Sequence, residues 1–157
     1  ENHKLLEQFK LNLEEITIAL AKKIVVDGEG AKKLIEIEVT GANSNSEAKN
    51  IAFAVANSPL VKTAVAGEDA NWGRVIMAVG KAKAKIKQEL LSLSIGGFPI
   101  IISGELIKNF DEKNISKHLK KKEVFINVSV SIGKGSCKVW TCDLTKEYVS
   151  INADYRS

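Results

Sequence analysis

Cysteine and histidine are scarce in this chain of 157 residues, which has two of each. Cys137 and Cys142 lie on one predicted strand at positions of opposite parity, so their side chains face opposite sides and cannot easily pair or share a metal ion. With only His3 and His118 added, the sequence offers no credible metal site and implies no cofactor. Two free thiols are typical of a reducing compartment.

Long apolar runs are also missing. No stretch reaches membrane-spanning length, and the N-terminus lacks the charged-then-apolar build of a signal peptide. We therefore expect a cytoplasmic protein without a membrane partner, although a transit peptide removed before Glu1 would leave the same sequence. The nucleophile elbow, the phosphate-binding loop with its lysine and the dinucleotide fingerprint are absent as well, which excludes the commonest catalytic motifs.

Neither charge sign dominates, since 23 Lys+Arg against 19 Asp+Glu give a net charge of +4. An acidic metabolite suits this balance as well as nucleic acid does. Aromatic residues make up 6% of the chain and do not interleave with the lysines, so a typical RNA-binding signature is absent. The densest basic run is best explained as a solvated helix end; it comprises Lys117, Lys120, Lys121 and Lys122.

Hydrophobic residues make up 45% of the chain, enough for one core, and the first helix is clearly patterned. Apolar residues at alternating steps of three and four predict an amphipathic helix over residues 3–23 with one buried face; they are Leu6, Phe9, Leu13, Ile16 and Leu20. Asp27-Gly28-Glu29-Gly30 then breaks the helix and holds Glu29 between two unshielded glycines. Composition alone favours an ordinary exposed turn residue at Glu29.

The segment after this turn predicts a strand and a helix. Residues 33–40 alternate between polar and apolar side chains, which indicates a half-buried strand. Ser44 and Glu47 have capping-box spacing in front of a second helical pattern that runs to Asn57.

The central stretch, residues 58–80, predicts strand, tight turn and helix. Leu60–Ala66 is a short apolar run between Pro59 and Gly67, which indicates a strand. A helix follows from Trp72, with Asp69 or Asn71 as its cap. Arg74 would lie in the first turn, where a cation opposes the helix dipole. Either a nearby bound anion or a salt bridge to Glu68 or Asp69 would remove that penalty.

The second half predicts more sheet. Residues 91–102 indicate a hairpin around Gly96-Gly97, with Pro99 on an edge strand, and Asp111 is placed to cap a helix through Leu119. Residues 123–132 alternate regularly and are predicted to pair antiparallel with residues 136–142, after which Asp143 caps a final helical turn. The expected fold is mixed α/β (α+β), with helices layered on a mixed sheet, in one unit spanning residues 1–157.

Three segments resemble one enzyme family: IVVDGEGAKKLIEIEV at 24–39, SPLVKTAVAGEDANWGR at 58–74 and WTCDLTKEYVSINADYRS at 140–157. Together and in this order they are similar to the C-terminal part of the ornithine acetyltransferase family, also called glutamate N-acetyltransferase, of arginine biosynthesis. The resemblance covers nearly the whole chain. It implies the C-terminal region of the DmpA/ArgJ-like fold.

The resemblance also implies a reaction. Family members cut themselves before a threonine, which becomes the N-terminal nucleophile of a β chain. This threonine takes the acetyl group of N-acetylornithine and passes it to glutamate. Some members use acetyl-CoA as well. That threonine is not in this sequence, so we expect a β-chain fragment that is inactive alone. Its expected partners are the α chain and the remaining N-terminal part of the β chain, in a heterotetramer of two α and two β chains.

Three substrate-contacting residues of the family match positions of this sequence. They are Glu29, which would neutralise an ammonium group of ornithine, and Asn152 and Ser157, which would offer uncharged donors and acceptors. Asn71 and Arg74 belong to the motif at 58–74, and for these two we expect a supporting role. Two other classes stay open, namely an amino-acid-binding regulatory domain and a nucleic-acid module with steeply salt-dependent binding.

Overall fold

The computed structural model describes residues 2–154, which form helices packed on a six-stranded mixed sheet. The mixed α/β prediction is thus confirmed. The helices are α1 (Asn2–Val26), α2 (Asn45–Ala56), α3 (Pro59–Ala66), α4 (Trp72–Gly80), α5 (Glu112–Leu119) and α6 (Lys146–Asp154). The strands are β1 (Leu34–Ala42), β2 (Ser92–Ile95), β3 (Phe98–Ile102), β4 (Glu105–Leu106), β5 (Glu123–Ser129) and β6 (Gly135–Cys142).

The sheet has the strand order β4-β3-β2-β5-β1-β6, which places β1 near the centre of the fold. β1 runs parallel to β5 and antiparallel to β6. Its alternation matches the prediction, since Ile35, Ile37 and Val39 are fully buried under the helices while Glu36 and Glu38 lie on the other face. The buried face of β1 therefore anchors the hydrophobic core.

The predicted hairpin between β5 and β6 is wrong, because β1 lies between these two strands. Two glycines between β5 and the body of β6 lie against the backbone at the end of β1. A Cβ atom on Gly133 would lie 2.5 Å from the Ala42 carbonyl oxygen, and one on Gly135 would overlap the Ser44 backbone. The connection therefore crosses the end of β1 at backbone contact, which only glycine permits.

Helix α2 follows its predicted pattern. Ser44 is the N-cap and accepts a hydrogen bond from the Glu47 backbone N–H at 3.2 Å. The predicted apolar stripe is buried against the sheet; it comprises Ala48, Ile51, Ala52, Val55 and Ala56.

The segment predicted as a strand at 60–66 is helix α3. Ser58 caps it by accepting from the Val61 backbone N–H at 3.4 Å, and Pro59 occupies the first turn, where its missing N–H costs nothing. Val61, Ala64 and Val65 are buried at helical spacing. The short apolar run between Pro59 and Gly67 favoured a strand, but the Ser-Pro start and the contact with α2 and α4 stabilise a helix instead.

The helix predicted from Trp72, the cap at Asp111 and the hairpin predicted at residues 91–102 are confirmed. α4 begins at Trp72 after Asn71, and Asp111 caps α5 through the Asn114 backbone N–H. β2 and β3 form the antiparallel pair expected around Gly96-Gly97. β3 is not the edge strand, because the two-residue β4 pairs with it, but Pro99 lies outside that pairing.

Helix α1 forms as predicted and extends to Val26, but the expected burial of its apolar stripe is wrong. The five stripe residues are between 49% and 61% exposed. The partly buried residues described in α1 lie between Ile18 and Val25, and the main contacts of the helix are with β1 and β6. None of the helices described is both long and apolar enough to cross a membrane.

His118 is a buried polar residue beneath β5, and its environment makes stability pH-dependent. The Phe125 backbone N–H donates to Nε2 of His118 at 2.9 Å, and burial, with a smaller contribution from Lys121, lowers the pKa of His118 below its ordinary value. The unfolded chain therefore takes up a proton at a higher pH than the folded chain. The stabilising contribution is complete above about pH 6.5 and is lost as the pH falls through the lowered pKa.

We accordingly expect the urea-unfolding free energy to fall as the pH is lowered below about 6.5, and the His118→Gln variant to lack most of this dependence. Glutamine keeps an oxygen acceptor for the Phe125 N–H but does not titrate. The measurement is urea unfolding at several pH values. Identical pH profiles for the two proteins would contradict the assignment.

Candidate functional site

The turn that carries Glu29 follows directly from the end of α1. The Asp27 and Gly28 backbone N–H groups close the last helical turn by donating to the carbonyls of Lys23 and Val25. Gly30 then adopts φ +68°, which reverses the chain towards β1. Glu29 is thereby exposed at the tip of the turn.

Glu29 meets Asn152 of α6, which is 123 positions away in the sequence. The side-chain amide nitrogen Nδ2 of Asn152 donates to Oε2 of Glu29 at 2.9 Å and to the carbonyl oxygen of Tyr148 at 2.8 Å. The second bond fixes the amide against its own helix, so the carboxamide is oriented before any ligand arrives. Two of the three candidate substrate residues are thus brought together, while Ser157 lies outside the described residues 2–154.

Gly30 allows the turn to pack directly on the start of α6. A Cβ atom at this position would lie 2.6 Å from the Tyr148 backbone nitrogen, closer than real Cβ atoms come. The Thr145 hydroxyl donates to the Gly30 carbonyl at 2.7 Å, and Lys32 pairs with Glu147 at 2.9 Å. These contacts hold the tip of the turn and α6 in a fixed relation.

Asp143 secures the other end of the turn, a role that sequence reasoning missed. It was expected to cap the last helix, but that helix begins only at Lys146. Instead Oδ1 of Asp143 accepts the backbone N–H groups of Lys32 at 2.8 Å and Lys33 at 3.0 Å. The residue is only 3% exposed, and its Oδ2 has no hydrogen-bond partner among the described residues. In the sequence, a carboxylate between a strand and a helix resembles a helix N-cap. Its actual partners, Lys32 and Lys33, are more than a hundred positions away and are found only in the folded structure.

Lys33 adds a second anchor beneath the turn. Its side chain is 10% exposed, and its ammonium group pairs with Glu68 at 3.0 Å. It also donates to the carbonyl oxygens of Val65 and Leu119, near the C-terminal ends of α3 and α5. A cation at helix C-terminal ends is favoured by the helix dipoles. The turn and β1 are therefore tied to both helices.

Arg74 and Asn71 organise the neighbouring helices, and their described hydrogen bonds do not reach Glu29 or Asn152. Arg74 Nη1 donates to the Leu60 carbonyl at 3.0 Å and to the Thr63 hydroxyl at 3.2 Å, so the salt bridge to Glu68 or Asp69 is not formed. Asn71 donates to Asp69 at 3.2 Å and makes no side-chain cap of α4. Arg74 thus ties α4 to the beginning of α3 through uncharged acceptors.

A cleft of about 610 Å³ opens between α3 and the start of α6. The Lys32–Glu147 pair, Thr63 and Thr145 contribute polar groups to its lining. Glu29 and Asn152 do not line this cleft, and both are exposed. Within residues 2–154 no group of three His, Cys, Asp or Glu side chains is arranged to hold a metal ion.

The site therefore consists of an exposed carboxylate next to an oriented carboxamide, on a turn fixed by a buried aspartate. Such a pair binds cations and hydrogen-bonding groups. These features define a class, namely an α/β domain that displays polar recognition groups without the common nucleophile or metal constellations. The chain belongs to the ArgJ family, whose match covers residues 1–157.

Individual relatives agree with this assignment. The arginine biosynthesis bifunctional proteins ArgJ of Zymomonas mobilis and Gluconobacter oxydans are 55% and 51% identical over 142 and 156 residues. These matches cover 90% and 99% of this chain but 35% and 37% of the relatives, so the chain spans about a third of their length. The crystal structure of the argJ protein from Bacillus halodurans superposes with a TM-score of 0.91 at 43% identity, covering 95% of this chain and 70% of that chain.

The Asp143 contacts predict a difference between two substitutions. Asp143→Ala leaves the Lys32 and Lys33 N–H groups, both partly buried, without their acceptor, and we expect a loss of about 2–4 kcal/mol in the free energy of unfolding. Asp143→Asn keeps an oxygen in the position of Oδ1 and should lose clearly less. Urea unfolding of both variants at pH 7 tests this, and an equal loss would show that the two backbone hydrogen bonds are not what matters.

Proposed function

We propose that the chain is the C-terminal, substrate-binding part of a glutamate N-acetyltransferase of arginine biosynthesis. In the complete protein, acetyl would pass from N2-acetylornithine to glutamate through an acetyl-threonine intermediate. Membership of the ArgJ family and the relatives' identity as arginine biosynthesis proteins support this. The observation that carries the assignment to this chain is the hydrogen bond between Glu29 and Asn152.

Glu29 and Asn152 are assigned complementary tasks. The Glu29 carboxylate has one oxygen engaged by Asn152, which leaves the other available to an ammonium group of ornithine. Asn152 would offer its carbonyl oxygen to an N–H group of the substrate, because its amide nitrogen is already used twice. Ser157 would add a hydroxyl at the same end. These groups bind and orient the substrate and take no part in bond making.

The chemical step requires groups from the rest of the polypeptide. The threonine nucleophile, activated by its own free α-amine, would attack the acetyl carbonyl and release ornithine, after which glutamate accepts the acetyl group. The relatives have nearly two thirds of their length outside the matched region, which leaves room for the nucleophile segment and the α chain. We propose a cytoplasmic heterotetramer of two α and two β chains, in some members with acetyl-CoA as a second donor.

Glu29→Gln in the complete protein should raise the KM for N-acetylornithine about tenfold with little change in kcat. The reason is that a charge-assisted contact to a part of the substrate that does not react contributes equally to ground state and transition state. Asp27→Asn is the matched control, because it removes one negative charge from the same exposed turn without touching Asn152. Steady-state kinetics give the result, and unchanged kinetics of Glu29→Gln would rule out the ammonium contact.

The chain by itself should show no acetyl transfer from N-acetylornithine to glutamate, because we assign the threonine nucleophile to polypeptide outside the matched region. A radiolabelled acetyl assay on the purified chain, with the complete protein as positive control, makes the comparison. Turnover by the chain alone would refute the assignment.

Calorimetry with ornithine on the same sample addresses the regulatory-domain alternative, which requires tight binding without any partner.

A further inference from the structure

Helix α1 has two apolar faces, and only one of them rests on this domain. The half-buried residues of α1 are Ile18, Ala21, Lys22 and Val25, which fall within an arc of about 100° at 3.6 residues per turn. Lys22 fixes this face by pairing with Glu36 at 3.5 Å and by lying 5.2 Å above the Trp140 ring. The contact is confined to the last turns of the helix.

The outward stripe, Leu6, Phe9, Leu13, Ile16 and Leu20, occupies a second arc of about 80° on the opposite side of α1. Its members are 49%, 61%, 51%, 58% and 55% exposed. Soluble chains rarely leave a continuous apolar stripe of this kind in water. A helix that is apolar on two opposite sides is characteristic of an element buried between two layers.

Most of α1 also lacks the packing that normally holds a helix together. Isolated helices of 12–15 residues are only marginally formed in water, and tertiary contact with an apolar face supplies most helical stability. Among the described residues, the main contacts of α1 are with β1 and β6. The outward stripe therefore lies where a second layer should pack.

The amount of polypeptide outside this chain indicates what that layer is. The chain accounts for 35–37% of the length of its curated relatives. The superposed region makes up 70% of the solved Bacillus halodurans chain, which therefore extends beyond it. We propose that the outward stripe of α1 is the docking surface for the part of the ArgJ polypeptide outside this chain. The inference rests on the proposed function only in treating the chain as one part of a longer protein.

A second copy of the chain is a poorer occupant. Two outward stripes could pair only over about 21 Å, the length of helix from Leu6 to Leu20. Such a contact falls short of the roughly 800 Å² per partner found in stable interfaces. Both copies would in addition carry a net charge of +4. The remaining polypeptide, by contrast, can cover the stripe and the exposed sheet face beside it together.

The test is co-expression of the tagged chain with the polypeptide of the Zymomonas mobilis protein that lies outside the matched 142 residues. Phe9→Asp places a charge in the stripe, and Gln8→Asp places the same charge on the adjacent polar side of the helix. We expect the wild-type chain and Gln8→Asp to co-purify with the partner in equal amounts, and Phe9→Asp to retain at least tenfold less. Amides 6–20 should exchange at least tenfold more slowly in the complex than in the chain alone.

Three results would overturn the proposal: no co-purification with the wild-type chain, equal retention by Phe9→Asp, or a dimer of the chain alone that Phe9→Asp dissociates in sedimentation. Equal unfolding midpoints of the wild-type and Phe9→Asp chains ensure that association, not folding, is compared. Failure of the proposed function is separate. If the proposed function is wrong, the complex will assemble but show no acetyl transfer. If Phe9→Asp leaves acetyl transfer undiminished, only the docking surface is contradicted.

Discussion

The two hydrogen bonds from the Lys32 and Lys33 backbone to the Asp143 carboxylate are the constraint on which the site depends. They join the start of β1 to the end of β6, more than a hundred positions apart in sequence. Because Asp143 is buried, the bonds form in a medium where they are strong and where losing the acceptor is costly. The turn before β1 and the helix after β6 thereby become neighbours. This brings Glu29 of the turn within hydrogen-bond distance of Asn152 in the helix.

The network around β1 supports this arrangement on its exposed face. Glu36 accepts from the Trp140 indole at 2.8 Å and pairs with Lys138 at 3.0 Å. Burial alone would raise the pKa of Glu36, but the hydrogen bonds from Trp140 and Lys138 and the charges of Lys138 and Lys22 together lower it. The carboxylate stays ionised, so it holds α1 through Lys22 and β6 through Lys138 at the same time.

The sequence predicted the elements with local causes and missed those with distant ones. The caps at Ser44 and Asp111 and the alternation of β1 are set by neighbours within four residues, and they were predicted correctly. The strand predicted at 60–66 was wrong. A short, continuous apolar run shows neither the helical nor the strand periodicity, because a buried helix and a buried strand can both be apolar throughout. The pairing of β6 with β1, the exposure of α1 and the contacts of Asp143 depend on partners far along the chain. Glu29 and Asn152 became candidates by resemblance to a family, since no spacing rule links residues 123 positions apart.

The two unusual surfaces of this chain are mechanically connected. α1 ends at Val26, three positions before Glu29, and its last turns are fixed to the sheet through Lys22. A layer packed along the outward stripe would therefore define the direction of α1 and, through one rigid helix end, the position of the acidic turn. Asn152 and Asp143 already fix that turn from the other side. Polypeptide packed along the stripe would thus also constrain the position of the Glu29–Asn152 pair, because the turn that carries Glu29 begins where α1 ends.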